Sequence, residues 1–223
     1  MNEVLRNIED LEKSIPDQVK LVPISKTMPN EKILEAWSGG FKVFGENKVQ
    51  ELQTKYQELP KDIEWHMVGH LQSNKVKYIA PFVHLIHGVD SMKLLRTINK
   101  EGQKNNRLIK GLFQMRIASE ETKFGLERKE LEDILLSAEY SDMRYVKMIG
   151  VMGMATFTDD KNQIKKEFDL LKSTFDNLKQ HQTENCKLET ISMGMSGDYE
   201  LAIESGSTMI RVGSSIFGSR NYN

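Results

Sequence analysis

A lone cysteine, Cys186, is the whole thiol inventory of this chain of 223 residues. One thiol cannot close an intramolecular disulfide or build a cysteine metal site, so a reducing compartment, the cytoplasm, is expected. Charge of one sign is missing as well. Lys and Arg total 31 against 32 for Asp and Glu, a formal net charge of -1. Without a cationic excess there is little to displace counterions from a duplex, and no nucleic-acid partner is expected. Long apolar runs are absent too. The longest, residues 78–86, is broken by Pro81 and His84 and falls well short of the ~18 residues of a membrane span. No membrane partner is expected. Five prolines and 15 glycines lie scattered through a chain that is 39% hydrophobic, which excludes both a fibrous repeat and wholesale disorder. The N-terminal Val4, Leu5, Ile8 and Leu11 recur at helical spacing among acids, unlike a targeting segment.

What the chain has is alternation. Short apolar runs predict strands at residues 20–25, 41–44, 63–68, 83–88, 109–116, 146–151, 188–192 and 209–212. Each is apolar on both faces, as a parallel strand covered by helices must be. Between them, helical patterns cover residues 30–38, 47–59, 92–103, 127–140 and 161–182, with Asn30 as the expected cap of the first. The polar stretch 100–110 reads as a solvated loop. Eight strands in this order predict an α/β fold, a single (β/α)8 TIM barrel over residues 1–223. A doubly wound open sheet is the alternative.

In a (β/α)8 barrel, functional groups project from the C-terminal strand ends, and phosphate commonly sits on the loops after strands seven and eight. The first strand runs into Ser25-Lys26-Thr27. A lysine at the barrel mouth loses solvation, which favours the neutral amine that attacks an aldehyde; a solvated loop lysine is the plainer reading. Asn47, after the second strand, offers an amide donor near the mouth or simply caps a helix. The seventh strand leads to Ser192-Met193-Gly194-Met195-Ser196-Gly197-Asp198, the eighth to Arg211-Val212-Gly213-Ser214-Ser215. Glycines admit backbone N–H groups to an anion, hydroxyls add donors, and Arg211 adds a permanent cation. Either loop alone could be an ordinary turn; two on adjacent strands predict a phosphate cradle. A lysine facing such a cradle suggests pyridoxal 5'-phosphate (PLP).

His66 and His70 flank a strand end without an Asp or Glu at metal-ligand spacing, and no metal is expected. Trp65, Met152, Met154, Met193 and Met195 read as barrel packing. Lys123, after the fifth strand, reads as a loop lysine.

Several longer motifs carry a resemblance. They are Ile24-Ser25-Lys26-Thr27, Phe44-Gly45-Glu46-Asn47, Val49-Gln50-Glu51, and Trp65-His66-Met67-Val68-Gly69-His70-Leu71-Gln72-Ser73-Asn74-Lys75, then Ser192-Met193-Gly194-Met195-Ser196 and the run from Gly206 to Ser214. In this order, over about residues 21–220, the chain resembles the pyridoxal phosphate homeostasis proteins (the YggS/PROSC-like group), which are similar to the N-terminal barrel of alanine racemase. The resemblance implies that Lys26 forms a Schiff base with the cofactor and that Asn47 lies near its ring substituents. It also implies that Ser196, Gly213 and Ser214 hold the phosphate, with Arg211 close to the ring or phosphate. Where the family often has a second lysine two positions after the first, this chain has Met28. In the resembling racemases the second acid–base group comes from another domain. No such domain is expected here, so the resemblance implies a PLP carrier in vitamin B6 homeostasis rather than an enzyme. Its partners are then PLP and apo PLP-dependent enzymes, and a monomer is expected. The alternative is a small PLP-dependent enzyme such as an amino-acid racemase.

Overall fold

The computed structural model describes residues 3–120 and 124–218. Eight parallel strands form one sheet: β1 (Lys20–Pro23), β2 (Val43–Glu46), β3 (Glu64–Met67), β4 (Leu85–Val89), β5 (Ile109–Gln114), β6 (Val146–Met152), β7 (Cys186–Ser192) and β8 (Met209–Val212). Their order is β1-β8-β7-β6-β5-β4-β3-β2, so each strand neighbours its successor in sequence. The two ends then meet. A parallel bridge joins Ile24 to Gly45, and the Ser25 N–H donates to the Gly45 carbonyl at 3.0 Å. The sheet is a closed barrel, and the open doubly wound alternative is set aside.

Helices α1 (Glu3–Ser14), α2 (Asn30–Ser38), α3 (Val49–Glu58), α4 (Val76–Ile79) and α5 (Met92–Lys104) cover the first half of the barrel. The second half carries α6 (Arg128–Leu136), α7 (Ala138–Ser141), α8 (Lys161–Leu178), α9 (Tyr199–Glu204) and α10 (Ser214–Phe217). The long ones follow from spacing and caps. In α8, Ile164, Phe168, Leu171, Phe175 and Leu178 recur at helical spacing and are buried. The Asp160 carboxylate accepts from the N–H groups of Asn162 and Gln163 at 2.9 and 3.2 Å, satisfying two donors the helix start would leave open. No helix among the described residues is long and apolar enough to cross a membrane.

Period-two alternation divides the apolar side chains into two layers. Val22, Ile24, Val68, Leu85, Leu112, Met152 and Met209 pack on one another inside the barrel. Their strand neighbours, among them Leu21, Trp65, Met67, Ile86 and Phe113, join the helix residues Ile33, Leu52, Leu95 and Phe168 in the outer layer. On β8 the alternation places Met209 inward and Ile210 and Val212 outward, so Arg211 faces inward.

Several boundaries differ from the sequence expectation. The segment 127–140 breaks at Ser137, whose hydroxyl accepts from the Tyr140 N–H and starts α7. Helix α8 stops at Leu178. The stretch 100–110 is no loop: α5 runs to Lys104 with Glu101 buried, and β5 starts at Ile109. Arg107 between them donates to the carbonyls of Ala80 and Val83. Pro29, not Asn30, precedes the first turn of α2, and the Asn30 amide donates instead to Glu58. Met195 is 37% exposed, unlike the buried Trp65, Met152 and Met193, because the turn after β7 carries it off the barrel wall.

Candidate functional site

Because all eight strands are parallel, the segments following them emerge at one rim. Lys26 lies there, half-buried, just beyond β1, and Asn47 directly follows β2. The cap of α3 is Lys48, so Asn47 is free of that duty; its carbonyl instead lies under Gly69, where a Cβ would come within 2.3 Å of it. The pairing of β1 with β8 sets Val22 against Arg211 and Pro23 against Val212, and the Ile24 N–H donates to the Val212 carbonyl at 2.8 Å. Gly213 follows at once, and a Cβ there would stand 3.2 Å from the Ile24 carbonyl. The segment carrying Lys26 therefore runs beside the start of the loop after β8.

The loops after β7 and β8 touch. The Gly213 N–H donates to the Ser196 hydroxyl at 3.2 Å, leaving that hydroxyl its own proton to donate. Gly194 takes φ +98, a conformation that side chains rarely adopt, and starts the turn. The Met195 N–H donates to the Asp198 carboxylate at 2.5 Å, tying that acid into the turn. Burial raises the Asp198 carboxyl above the usual aspartate range. Nothing lies within 4 Å of where a Cβ on Gly197 would be. A hollow of about 430 Å³ lies to one side of this loop, lined by Thr156, Phe157, Met195, Ser196, Asp198 and Ser214. A second, of about 400 Å³, is lined by Ser196, Gly197, Tyr199 and Ser215. Lys26 and Asn47 line neither. Lys123 lies outside the described residues.

Below the rim the barrel interior turns polar. Arg211, 5% exposed, donates to the Ser192 hydroxyl at 2.7 Å and to the Gly153 carbonyl at 3.1 Å. Both acceptors are neutral. Desolvation pushes the guanidinium down to about 10, against the attraction of Asp198. Ser192 also meets His87 Nδ1 at 3.1 Å, and His87 Nε2 meets His66 Nδ1 at 3.1 Å. Burial holds both imidazoles well below the usual histidine range, so both are neutral.

The histidines have acidic neighbours after all. His70 lies 3.2 Å from Asp90, and Glu64, His66 and His84 bring donor atoms within 4.8 Å of one another at the opposite rim. Spacing along the chain missed them because Glu64, His66 and His84 come together across two strands. Lys20 already sits 3.7 Å from Glu64, and burial, helped by Lys110, Lys20 and Arg107 and opposed by Glu64, depresses His84. A divalent cation would compete with those charges.

A second buried cluster lies outside the barrel wall, under the Lys26 turn. The Lys55 ammonium on α3 donates to the Ser25 carbonyl (2.7 Å), Glu46 (2.8 Å) and Glu51 (2.7 Å). The Ser25 hydroxyl donates to the same Glu46 oxygen at 2.6 Å. Burial raises Glu46 to about 7, against the pull of Lys55 and Ser25.

The model for the alanine racemase N-terminal domain matches residues 1–221. The pyridoxal phosphate homeostasis protein of Aquifex aeolicus (strain VF5) is 40% identical over 205 residues, 91% of this chain and 88% of that one. The chain belongs to the pyridoxal phosphate homeostasis protein family. The Escherichia coli (strain K12) member is 30% identical over 236 residues, 100% of this chain and 99% of its own. Among solved structures, PipY of Synechococcus elongatus PCC7942 without PLP superposes with a TM-score of 0.90 at 32% identity, covering 96% of this chain and 100% of PipY. PipY with PLP bound gives 0.86. Alanine racemase of Bartonella henselae shares the fold, with a TM-score of 0.70 at 13% identity, and the match covers 59% of that chain.

In this family member the sequence motifs include Glu46 and Glu51 without giving them a role, and His87 and Lys55 lie outside those motifs. Two signals were available. His87 has the inward parity of Leu85 on β4, and Glu51 and Lys55 stand four apart on a helix. Neither spacing reveals burial.

Proposed function

We propose that this chain holds PLP as a Schiff base on Lys26, hands it to apo PLP-dependent enzymes, and serves vitamin B6 homeostasis without robust catalysis. The observation that carries this reading is the β1–β8 register, which runs the Lys26 segment beside Gly213. The residues at hand fit the cofactor. Ser196, Gly213 and Ser214 supply hydroxyl and N–H donors for a phosphate, and the open side of Gly197 leaves room for one. Arg211 is a buried cation with neutral hydrogen-bond partners, so an anion at the rim offsets a charge the fold has already desolvated. Asn47 offers an amide toward ring substituents. PLP supplies an aldehyde. Lys26 would be the amine that condenses with it, with loss of water, while Asn47, Ser196, Gly213 and Ser214 would hold the rest of the cofactor.

Two further facts support a carrier. PipY is a relative with PLP bound, and other relatives bear the name of homeostasis proteins rather than enzymes. In this reading the chain works as a monomer in the cytoplasm, in keeping with one buried thiol.

The test is the visible spectrum of PLP-loaded protein before and after borohydride, followed by peptide mapping. A reduced pyridoxyl group on Lys26, lost in Lys26→Ala, is expected; an adduct unchanged in that variant refutes the attachment site. The shared fold with alanine racemase favours a second reading, a small amino-acid racemase. Solvent deuterium appearing at an amino-acid α-carbon with fast turnover, lost on Lys26→Ala, would favour that enzyme.

A further inference from the structure

Resting on Lys26 as the attachment point, we propose that Lys55, with Glu46 and Glu51, is a positioning clamp that fixes the backbone on both sides of Lys26 and so sets how readily its amine joins an aldehyde. On the N-terminal side, the Ser25 carbonyl accepts from the Lys55 ammonium at 2.7 Å, and the Ser25 hydroxyl donates to Glu46 at 2.6 Å. On the C-terminal side, the Thr27 N–H donates to the Glu51 carboxylate at 2.6 Å. Lys55 joins the two by also holding Glu51, at 2.7 Å. One ammonium therefore governs the peptide groups before and after Lys26.

The turn needs such a grip. Thr27 adopts φ 64, a left-handed conformation that is a genuine outlier for a β-branched residue and persists only where its surroundings impose it. Charged hydrogen bonds from Glu51 and Lys55 on the packed side of α3 are that imposition. The cluster is built for burial: Lys55 and Glu46 side chains are 6% and 0% exposed, and α3 packs them against the β1 turn. An exposed pair of the same residues would have little effect on geometry. Lys55 touches no ligand in this proposal; it acts through Ser25 and Thr27.

The test pairs two ligands. Pyridoxine 5'-phosphate has the ring and phosphate but an alcohol in place of the aldehyde, so it reports the cradle without bond formation to Lys26. In Glu51→Ala and Lys55→Met, PLP affinity and the rate of borohydride-trappable adduct formation are expected to fall by about tenfold or more, the worth of one lost charged hydrogen bond. Pyridoxine 5'-phosphate affinity should stay within about twofold, and Lys55→Arg should recover part of the loss. In the protein without ligand, exchange of the Thr27 amide should accelerate by about tenfold or more in Glu51→Ala, since its acceptor is gone. Should Lys55→Met fail to fold, the partly exposed Glu51 variant decides. Equal weakening of both ligands, or folded variants that trap PLP like the wild type, overturns the clamp. A wild type with no adduct on Lys26 fails the carrier reading instead, while the Thr27 exchange result still judges the clamp.

Discussion

Two buried polar clusters flank β1, and they solve the same problem differently. Inside the barrel, His66, His87, Ser192 and Arg211 form a chain containing one formal charge and no carboxylate. Outside the wall, Ser25, Glu46, Glu51 and Lys55 form a knot of charges. The inner chain keeps its imidazoles neutral, and its one cation has the neutral acceptors Ser192 and Gly153. The outer knot sets one ammonium against two carboxylates and ties them to the turn around Lys26. The contrast predicts that the outer knot matters more for stability and the inner chain more for the affinity of a phosphorylated ligand that makes no bond to Lys26, such as pyridoxine 5'-phosphate.

The largest effect should come from breaking the knot. Lys55→Met leaves Glu46 buried without its cation, a loss on the order of 3–5 kcal/mol when one partner of a buried pair is removed. Urea unfolding at pH 8 should show it fully, whereas near pH 6 Glu46 can take up a proton and escape part of the penalty. His87→Leu, which leaves neutral partners behind, should cost only about 1–3 kcal/mol. A reversed ranking breaks the contrast.

The difference between the clusters also explains what the sequence made legible. Alternating strands and amphipathic stretches announced the barrel, since burial on both faces leaves a residue-level mark at each strand. The placement of Lys26, Asn47, Ser196 and Gly213 at one rim was legible because parallel strands send every following segment to the same side; what the four bind is the proposal above. The knot was not. Glu51 and Lys55 look like an ordinary surface pair at helical spacing, and only the packing of α3 on the β1 turn buries Lys55. The polar run 100–110 misled for the opposite reason, because Arg107 donates to carbonyls within the fold and α5 continues through Glu101 to Lys104. Composition could not distinguish charges that face water from charges that face carbonyls.

Acid should pull the clusters in opposite directions. His66 and His87 are held well below the ordinary 6.5. The unfolded chain then binds more protons as pH falls below 6.5, and their contribution to stability is lost on acidification. Glu46 is raised from 4.5 to about 7. There the folded chain binds more protons between about 4.5 and 7, so this group adds stability as pH falls through that window. Each slope is at most ~1.4 kcal/mol per pH unit. Unfolding free energies at pH 7.5 and 5.5 should show Glu46→Gln losing stability on acidification faster than the wild type and His87→Asn losing it more slowly. Equal slopes in the three proteins would mean the groups titrate as they do in the unfolded chain.

The smallest effects, and the sharpest, should come from removing one hydroxyl in each cluster. Ser25→Ala deletes the 2.6 Å bond to Glu46, which Lys55 still holds, and Ser192→Ala deletes the 2.7 Å acceptor of Arg211, which Gly153 still holds. With one partner remaining in each case, both should cost only about 1–2 kcal/mol by denaturant unfolding. Ligand binding separates them. If Arg211 serves the proposed phosphate cradle, loss of one of its two partners in Ser192→Ala should weaken PLP and pyridoxine 5'-phosphate together, by about threefold to tenfold. Ser25→Ala loosens only the turn around Lys26 and should weaken PLP alone. If the two variants behave alike toward both ligands, the inner chain and the outer knot serve a single purpose and the division of labour between them fails.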